Sequence, residues 1–244
     1  MTIPPGELLE WDSNFFGFRI GRVRPGPFDL AAVVAWQTEN QIQCLYYLAE
    51  LNDTDSIHAA QDLGFHLVDI RTTFYTHLPV HVSTDPRIRI RQAVDADLPT
   101  LKEITTGSFI HSRFYHDPHF SRDKCDELYA IWVEKQLHQP DAMVWVTEDE
   151  SGLLGFVTVV DLNPRRTSIS LIGIAKRARG QGLGKALNNH VLQERGSHGF
   201  TEFEVVTQAR NSGAMNLYQS CGMRIMSQQA WLHGWFNQSN NKPL

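Results

Sequence analysis

The run Arg87-Ile88-Arg89-Ile90-Arg91 alternates charged and apolar side chains and predicts a strand. Just after it, Asp95 and Asp97 supply carboxylates for a helix cap and Pro99 suits a first helical turn, so a helix is expected there. A second helix is predicted after Ser121, where Cys125, Leu128, Tyr129, Trp132, Val133 and Gln136 recur at spacings of three and four. Two apolar runs, residues 143–147 and 153–160, flank Glu148-Asp149-Glu150-Ser151-Gly152 and predict a hairpin. A third strand, 167–175, feeds a glycine-rich turn and then a helix. That helix carries Leu183, Ala186, Leu187, Val191 and Leu192 on one side and is ended by Gly196 and Gly199. A strand over 201–207, a short helix opened by Asn211 or Ser212 and stopped by Gly222, and a last strand over 223–236 complete the order. The series β-α-α-β-β-β-α-β-α-β breaks the regular βα alternation, so a mixed α+β sheet is expected rather than a doubly wound one.

Upstream, Leu78-Pro79-Val80-His81-Val82-Ser83-Thr84-Asp85-Pro86 interrupts the pattern with two prolines, each of which blocks a helix and removes a ladder donor. The expected organisation is an N-terminal module over 1–80, a linker over 81–86, a main domain over 87–237 and a tail over 238–244. The module echoes the main domain. Aligning Gly64 with Gly222 gives an offset of 222 − 64 = 158, which also pairs Asp53 with Asn211, Thr54 with Ser212, Gln61 with Gln219 and Phe65 with Met223. Leu45-Tyr46-Tyr47-Leu48 then falls on Phe203-Glu204-Val205-Val206. Two readings stand side by side: a truncated copy of the second half of the main domain, or two units alike because helix caps and terminating glycines recur everywhere.

Composition narrows the class. The 244 residues hold 22 Lys+Arg against 27 Asp+Glu, a formal charge of −5, which argues against a nucleic-acid partner that needs a basic surface. Apolar residues make up 42% of the chain, enough for a core, and none of its apolar runs reaches the roughly 18 to 20 residues of a spanning helix. The start lacks a basic segment leading into an apolar one, so a cytoplasmic protein without a membrane partner is expected. Cys44, Cys125 and Cys221 are odd in number and widely spaced, as free buried thiols would be. The chain has no H-E-x-x-H, C-x-x-C or G-x-S-x-G motif, and no metal is expected.

The chemistry is concentrated in the turn between the third strand and its helix. Lys176, Arg177, Arg179 and Lys185 fall there with no acidic residue among them, and Gly180, Gly182 and Gly184 strip side chains from a helix N-terminus. Free backbone N–H groups and the positive end of the helix dipole suit a phosphate or pyrophosphate. A dinucleotide fingerprint starting at Gly180 needs glycine where Lys185 stands, and a phosphate loop ending at Gly184-Lys185 needs glycine at Arg179 and Ser or Thr at Ala186.

What does fit is Arg179-Gly180-Gln181-Gly182-Leu183-Gly184, which resembles the Q/R-x-x-G-x-G/A loop of the GCN5-related N-acetyltransferases. Ile90-Arg91-Gln92-Ala93, Asp97, Asn211, Tyr218 and Gly222 follow the same order, and the resemblance spans about residues 87–237. It implies the GNAT fold, a mostly antiparallel central sheet with flanking helices. It further implies acetyl-CoA as co-substrate, with pyrophosphate on the amides of residues 179–185 (Arg179, Gly180, Gln181, Gly182, Leu183, Gly184 and Lys185). Pantetheine would pair with the backbone of Ile172, Gly173 and Ile174, Asn211 would reach the pantetheine arm, and Tyr218 would be the general acid.

Leu9-Glu10-Trp11-Asp12-Ser13-Asn14-Phe15-Phe16-Gly17, Ser112-Arg113-Phe114 and Tyr129-Ala130-Ile131-Trp132-Val133-Glu134 resemble the branch of that family that acetylates an amino group on a nucleotide-linked deoxysugar. The expected function is therefore acetyl transfer to such an amine by direct attack in a ternary complex. Two rivals are an acetyltransferase for another small-molecule or protein amine, and a non-enzymatic acyl-CoA sensor in which Tyr218 only packs. Arg113, Tyr115 and Tyr129 are candidate acceptor residues, because phosphates favour a guanidinium fork and a base stacks on rings. His111, His116 and His119 belong to the same region, and Asp161, Glu202 and Glu204 are carboxylates near strand ends, none singled out as the base. The N-terminal module is expected either to shape the acceptor pocket or to form a homodimer contact.

Overall fold

The computed structural model describes residues 4–26, 28–83 and 85–236, and the expected tail over 238–244 lies outside them. The chain begins with β1 (Gly6–Leu8), α1 (Glu10–Phe16), β2 (Ile20–Val23), α2 (Leu30–Glu39), β3 (Cys44–Glu50), α3 (Thr54–Asp62) and β4 (Phe65–His77). Next come β5 (Arg89–Gln92), α4 (Leu98–Thr105), the single turn α5 (Arg113–His116), α6 (Arg122–His138), β6 (Ala142–Asp149) and β7 (Gly152–Asn163). It closes with β8 (Arg166–Ile174), α7 (Leu183–Ser197), β9 (Glu202–Gln208), α8 (Ser212–Ser220) and β10 (Arg224–Trp235).

Short polar side chains cap several of the helices. Asp53 accepts from the Ser56 amide at 3.1 Å, Ser121 from Lys124 at 3.3 Å and Asn211 from Ala214 at 3.1 Å, each satisfying an amide that the helix leaves free. Three expectations need correction. Asp95 and Asp97 give α4 no side-chain cap, and Asp97 instead accepts from the Val94 amide ahead of it at 2.9 Å. Gly196 lies within the last turn of α7, and it is Gly199, at φ +87°, that takes the left-handed step beyond the helix. The stretch after α4, read as loop, contains the helical turn α5.

Chain contacts divide the molecule into two compact units. Unit 1 comprises Met1–Arg71, Ser112–Phe120 and Gln228–Leu244; unit 2 comprises Thr72–His111 and Ser121–Ser227. In unit 1 the strands lie in the order β1-β2-β3-β10, with β2 and β3 parallel and the other pairs antiparallel. Its core gathers Val33, Ile42, Leu45, Tyr47, Ala60, Phe65 and Leu232. Gly234 is required there, since a Cβ would sit 2.6 Å from the Phe65 ring. In unit 2 the order is β9-β8-β7-β6-β5, with β8 and β9 parallel and the rest antiparallel, around Phe74, Val157, Val159, Ile169, Leu187, Val191 and Phe203. The sheet is thus mixed and mostly antiparallel with flanking helices, as expected.

The internal echo holds at the level of elements. β3 and β9 are offset by 202 − 44 = 158 residues and α3 and α8 by 212 − 54 = 158, with equal lengths in each pair. Gly64 and Gly222 both turn left-handed after the helix, at φ +84° and +81°. All three cysteines are free and buried, and among the described residues no helix is long and apolar enough to cross a membrane.

Candidate active site

In unit 2, β8 and β9 start side by side and then part. They pair from Arg166↔Glu202 to Ile169↔Val205, and beyond that point residues 170–174 of β8 have no strand partner on the β9 side among the described residues. On its other edge β8 remains paired to β7 as far as Ile174↔Gly155. The parting begins where the register slips between Thr158 and Val159, leaving Ser170 as an extra residue on β8, and Gln136 of α6 donates to the Ser170 hydroxyl. The backbone of Ile172, Gly173 and Ile174 is therefore paired to a strand on one side only, and can pair with an extended ligand on the other.

Where β8 ends, one tight turn over Lys176–Ala178 leads into the glycine loop. Gly180 and Gly182 adopt φ +79° and +78°, and a Cβ on either would meet nothing within 4 Å. Backbone conformation, not crowding, selects glycine at both positions. Gly182 occupies the cap position of α7 without a capping side chain, and the first helical bond runs from the Ala186 amide to Gly182 O at 3.0 Å. The amides of Leu183, Gly184 and Lys185 thus open the helix without intrahelical acceptors, at the positive end of its dipole. Gly184 lies against α8, where a Cβ would make a close but ordinary contact of 3.4 Å with Leu217. Leu183 is buried, whereas Gln181 reaches back to Arg177 O at 3.5 Å.

The basic residues frame this loop. Arg179 donates to Ile174 O and to the Ser108 hydroxyl, both at 3.3 Å, so it spans the end of β8 and the segment after α4. Arg177 donates to the Ser151 hydroxyl at 2.6 Å and to Leu153 O at 3.2 Å, tying the loop to the β6–β7 turn. Lys176, Arg177 and Arg179 line a cavity of about 710 Å³ together with Glu103, Ser108 and Ser151. Three cations against one carboxylate suit an anionic occupant.

Tyr218 lies on α8, 2% exposed, with its ring 5.5 Å from that of Phe74. Burial raises its phenol pKa, so the hydroxyl is protonated at neutral pH. Asn211 caps the same helix, which commits its Oδ1 to the Ala214 amide and leaves Nδ2 as the atom for a ligand. Burial also raises the pKa of the neighbouring Cys221 thiol, which makes it a poor nucleophile. The three carboxylates flagged from sequence are all held by arginines. Asp161 receives both bonds from Arg195 at 2.9 and 2.8 Å, and Glu202 and Glu204 share Arg166. Among the described residues no group of His, Cys, Asp and Glu could hold a metal ion.

The acceptor candidates separate. Tyr129 is buried and stacks on Phe109 with centroids 4.3 Å apart, so its ring meets protein rather than an incoming base. Tyr115 is also buried, and both tyrosines leave little surface for a ligand. Arg113 belongs to unit 1 and is only partly buried. Its guanidinium stands 4.1 Å over the Tyr46 ring, 4.2 Å over Trp231 and 4.3 Å over Phe114.

Arg113 Nη1 donates to His233 Nε2 at 2.9 Å. A guanidinium only donates, so Nε2 accepts, Nδ1 carries the proton, and that proton goes to Asp117 Oδ2 at 2.6 Å. Trp235 Nε1 donates to the same oxygen at 2.9 Å, and His119 Nδ1 lies 2.8 Å from Oδ1. Burial, with Arg113 adding to it, lowers the His233 pKa to about 4 against the pull of Asp117, so the ring is neutral. Burial works to raise the Asp117 pKa, but the bonds from His233 and Trp235 outweigh it and hold the carboxyl well below its usual range. Sequence reasoning missed His233 and Asp117. The available signal was the spacing of Trp231, His233 and Trp235, which puts all three on one face of β10.

A model of the acetyltransferase (GNAT) family matches residues 104–223. Over 230 residues the chain is 27% identical to the dTDP-fucosamine acetyltransferase of Escherichia coli O6:H1, across 93% of this chain and 96% of that protein. It is 21% identical to the spore coat polysaccharide biosynthesis protein SpsD of Bacillus subtilis, across 92% of this chain and 81% of the other. Among solved structures, a GCN5-related N-acetyltransferase from Sphaerobacter thermophilus matches with a TM-score of 0.67 at 15% identity, covering 94% of this chain and 76% of its own. That likeness is one of fold.

Proposed function

With a domain of the acetyltransferase (GNAT) family over residues 104–223, the chain is an acetyl-CoA-dependent N-acetyltransferase, and we propose that its acceptor is the amino group of a nucleotide-linked amino-deoxysugar. The observation that carries the acceptor is the length of the match to dTDP-fucosamine acetyltransferase, which takes in 93% of this chain rather than the family domain alone. The similarity to a polysaccharide biosynthesis protein over 92% of the chain supports the same substrate class.

In this reading the glycine-loop amides and Arg179 hold the coenzyme's pyrophosphate, and the one-sided backbone of Ile172, Gly173 and Ile174 pairs with its pantetheine arm. Asn211 Nδ2 supports that arm. The neutral amine attacks the thioester carbonyl, the C–N bond forms and the C–S bond breaks. The departing thiolate takes a proton or a hydrogen bond from the Tyr218 hydroxyl, while the amine's proton leaves to water. Burial keeps Tyr218 protonated, so it can donate a hydrogen bond to the departing thiolate although its raised pKa makes full proton transfer less favourable, and the raised thiol of Cys221 favours direct attack over an acyl-cysteine route. We further propose that β3-α3-β4 is a truncated copy of β9-α8-β10 with Ala60 in the position of Tyr218, hence without chemistry of its own.

Thiol release from acetyl-CoA across amino-sugar nucleotides, simple amines and lysine peptides tests the acceptor. Turnover is expected to be fastest with an amino-sugar nucleotide. Faster turnover with a peptide or a simple amine would replace this acceptor with that one.

A further inference from the structure

Arg113 is a cation gripped by three rings and left without a counter-charge in contact. Among the described residues its one hydrogen bond goes to neutral His233, and no carboxylate lies within ion-pair distance. Two carboxylates act on it from further off. Burial raises the pKa of Asp12, with Arg113 and Arg22 pulling it down, and Asp117 is committed to His233, Trp235 and His119. A guanidinium has five N–H donors and a neutral imidazole offers it no charge, so most of the fork is unspent. Such an ion, partly removed from water, is stabilised by an anion that brings several acceptors at once.

The surroundings fix its orientation. Tyr46 stacks on the His233 ring with centroids 4.6 Å apart, and the buried Asp117 carboxylate sets the imidazole tautomer that keeps Nε2 open to Arg113. With the protonation reversed, two N–H donors would face each other and the tether would be lost. Helix α1, which brings Asp12 into electrostatic range, also carries Trp11, 48% exposed and stacked on Phe15. An exposed indole and a preset cation are the two kinds of group that take a base and its phosphates.

We infer that unit 1 carries an oxyanion site in which Arg113 grips the diphosphate of a nucleoside-diphosphate ligand, with His233 and Asp117 as positioning residues. The nucleoside part of that ligand rests on the acceptor reading above; the oxyanion preference rests on Arg113 and its tether.

The test is calorimetric binding of thymidine diphosphate, uridine diphosphate and thymidine to the full chain, with CoA binding measured on every variant as the check of fold. The wild type is expected to prefer diphosphates over thymidine by roughly tenfold or more, the scale of charge-assisted bonds. R113Q should abolish that preference while thymidine and CoA still bind, and R113K should recover only part of it, because an ammonium lacks the fork. H233F should lose the preference with Arg113 still present, whereas a merely structural role would weaken thymidine and diphosphate alike. If H233F loses CoA binding, R113Q and R113K decide the matter between them. A wild type that binds diphosphates no better than thymidine, or a preference that survives R113Q, overturns the site. Failure of the acceptor reading looks different: diphosphates bind through Arg113, yet no amino-sugar nucleotide releases thiol from acetyl-CoA.

Discussion

Gly182 offers a sharp test of how the glycine loop proposed to hold the coenzyme is built. It sits at φ +78°, ψ 0°, in the cap position of α7, and a methyl group there would meet nothing within 4 Å. Gly182→Ala therefore introduces no clash, and its whole effect is conformational. Holding an L-residue in the left-handed region costs about 1–2 kcal/mol, a factor of roughly 5 to 30 in an equilibrium constant. That cost can fall in two places. If α7 keeps its start, the folded state loses the full amount and the melting temperature drops by roughly 2–8 °C for a chain of this size. If the loop escapes to a negative φ, stability recovers but the amides of Leu183, Gly184 and Lys185 swing away, and CoA binding weakens instead. Thermal unfolding and CoA titration on one preparation measure both, and their combined loss should be about 1–2 kcal/mol. Gly182→Asn should lose less, since asparagine tolerates the left-handed region. Gly184→Ala is the control: the position lies in the first turn of α7 without a positive φ, a Cβ meets Leu217 at an ordinary 3.4 Å, and stability should change little. Full stability together with unchanged CoA affinity in Gly182→Ala would refute the positive-φ requirement.

Three further outcomes follow from the same contacts. Tyr218→Phe should lower kcat at least about tenfold with CoA affinity unchanged, because only the transition-state proton is lost; equal turnover would remove the acid role. Asp161→Ala removes the carboxylate that takes two bonds from the Arg195 side chain, 5% exposed, while Glu194 at 3.5 Å still offsets the charge, and should destabilise by about 1–3 kcal/mol in chemical denaturation. His233, with its pKa lowered to about 4 against about 6.5 when unfolded, is bound to protons in the unfolded chain before the folded one. Its contribution is complete above about pH 6.5 and declines as pH falls toward 4, on the order of 3 kcal/mol in all; His233→Gln should flatten that stretch of the stability curve, and an identical slope would refute the neutral buried ring.

The parts of the site that local rules build could be read along the chain. The alternation before the glycines, the three glycines themselves and the apolar stripe of α7 are neighbours in sequence, so β8, its loop and its helix could be inferred as elements. The cap at Asn211 and the left-handed Gly222 delimited α8 for the same reason. Arg113 and His233 are different: 120 residues separate them, and 116 separate His233 from Asp117. No periodicity joins such groups, and a four-residue helical turn like α5 is too short to have one. Tyr129 shows the opposite limit. The spacing that put it on the apolar face of α6 already assigned it to the interior, and its burial against Phe109 follows that pattern rather than the ring chemistry.

The repeated unit sharpens the distinction between scaffold and chemistry. β3-α3 and β9-α8 share element lengths, an Asp53 or Asn211 cap and a left-handed glycine at the same offset, so identical local physics builds both. Their central helix positions diverge. Ala60 is fully buried among Phe65, Tyr47 and Ala49, whereas Tyr218 places a phenol among Phe74, Val205 and Met223. Both residues satisfy the same demand for burial, so packing alone does not choose between them. What differs is a hydroxyphenyl group, and its buried hydroxyl is a polar atom that an apolar core gains nothing from unless its proton is used. The same reasoning applies to Arg113.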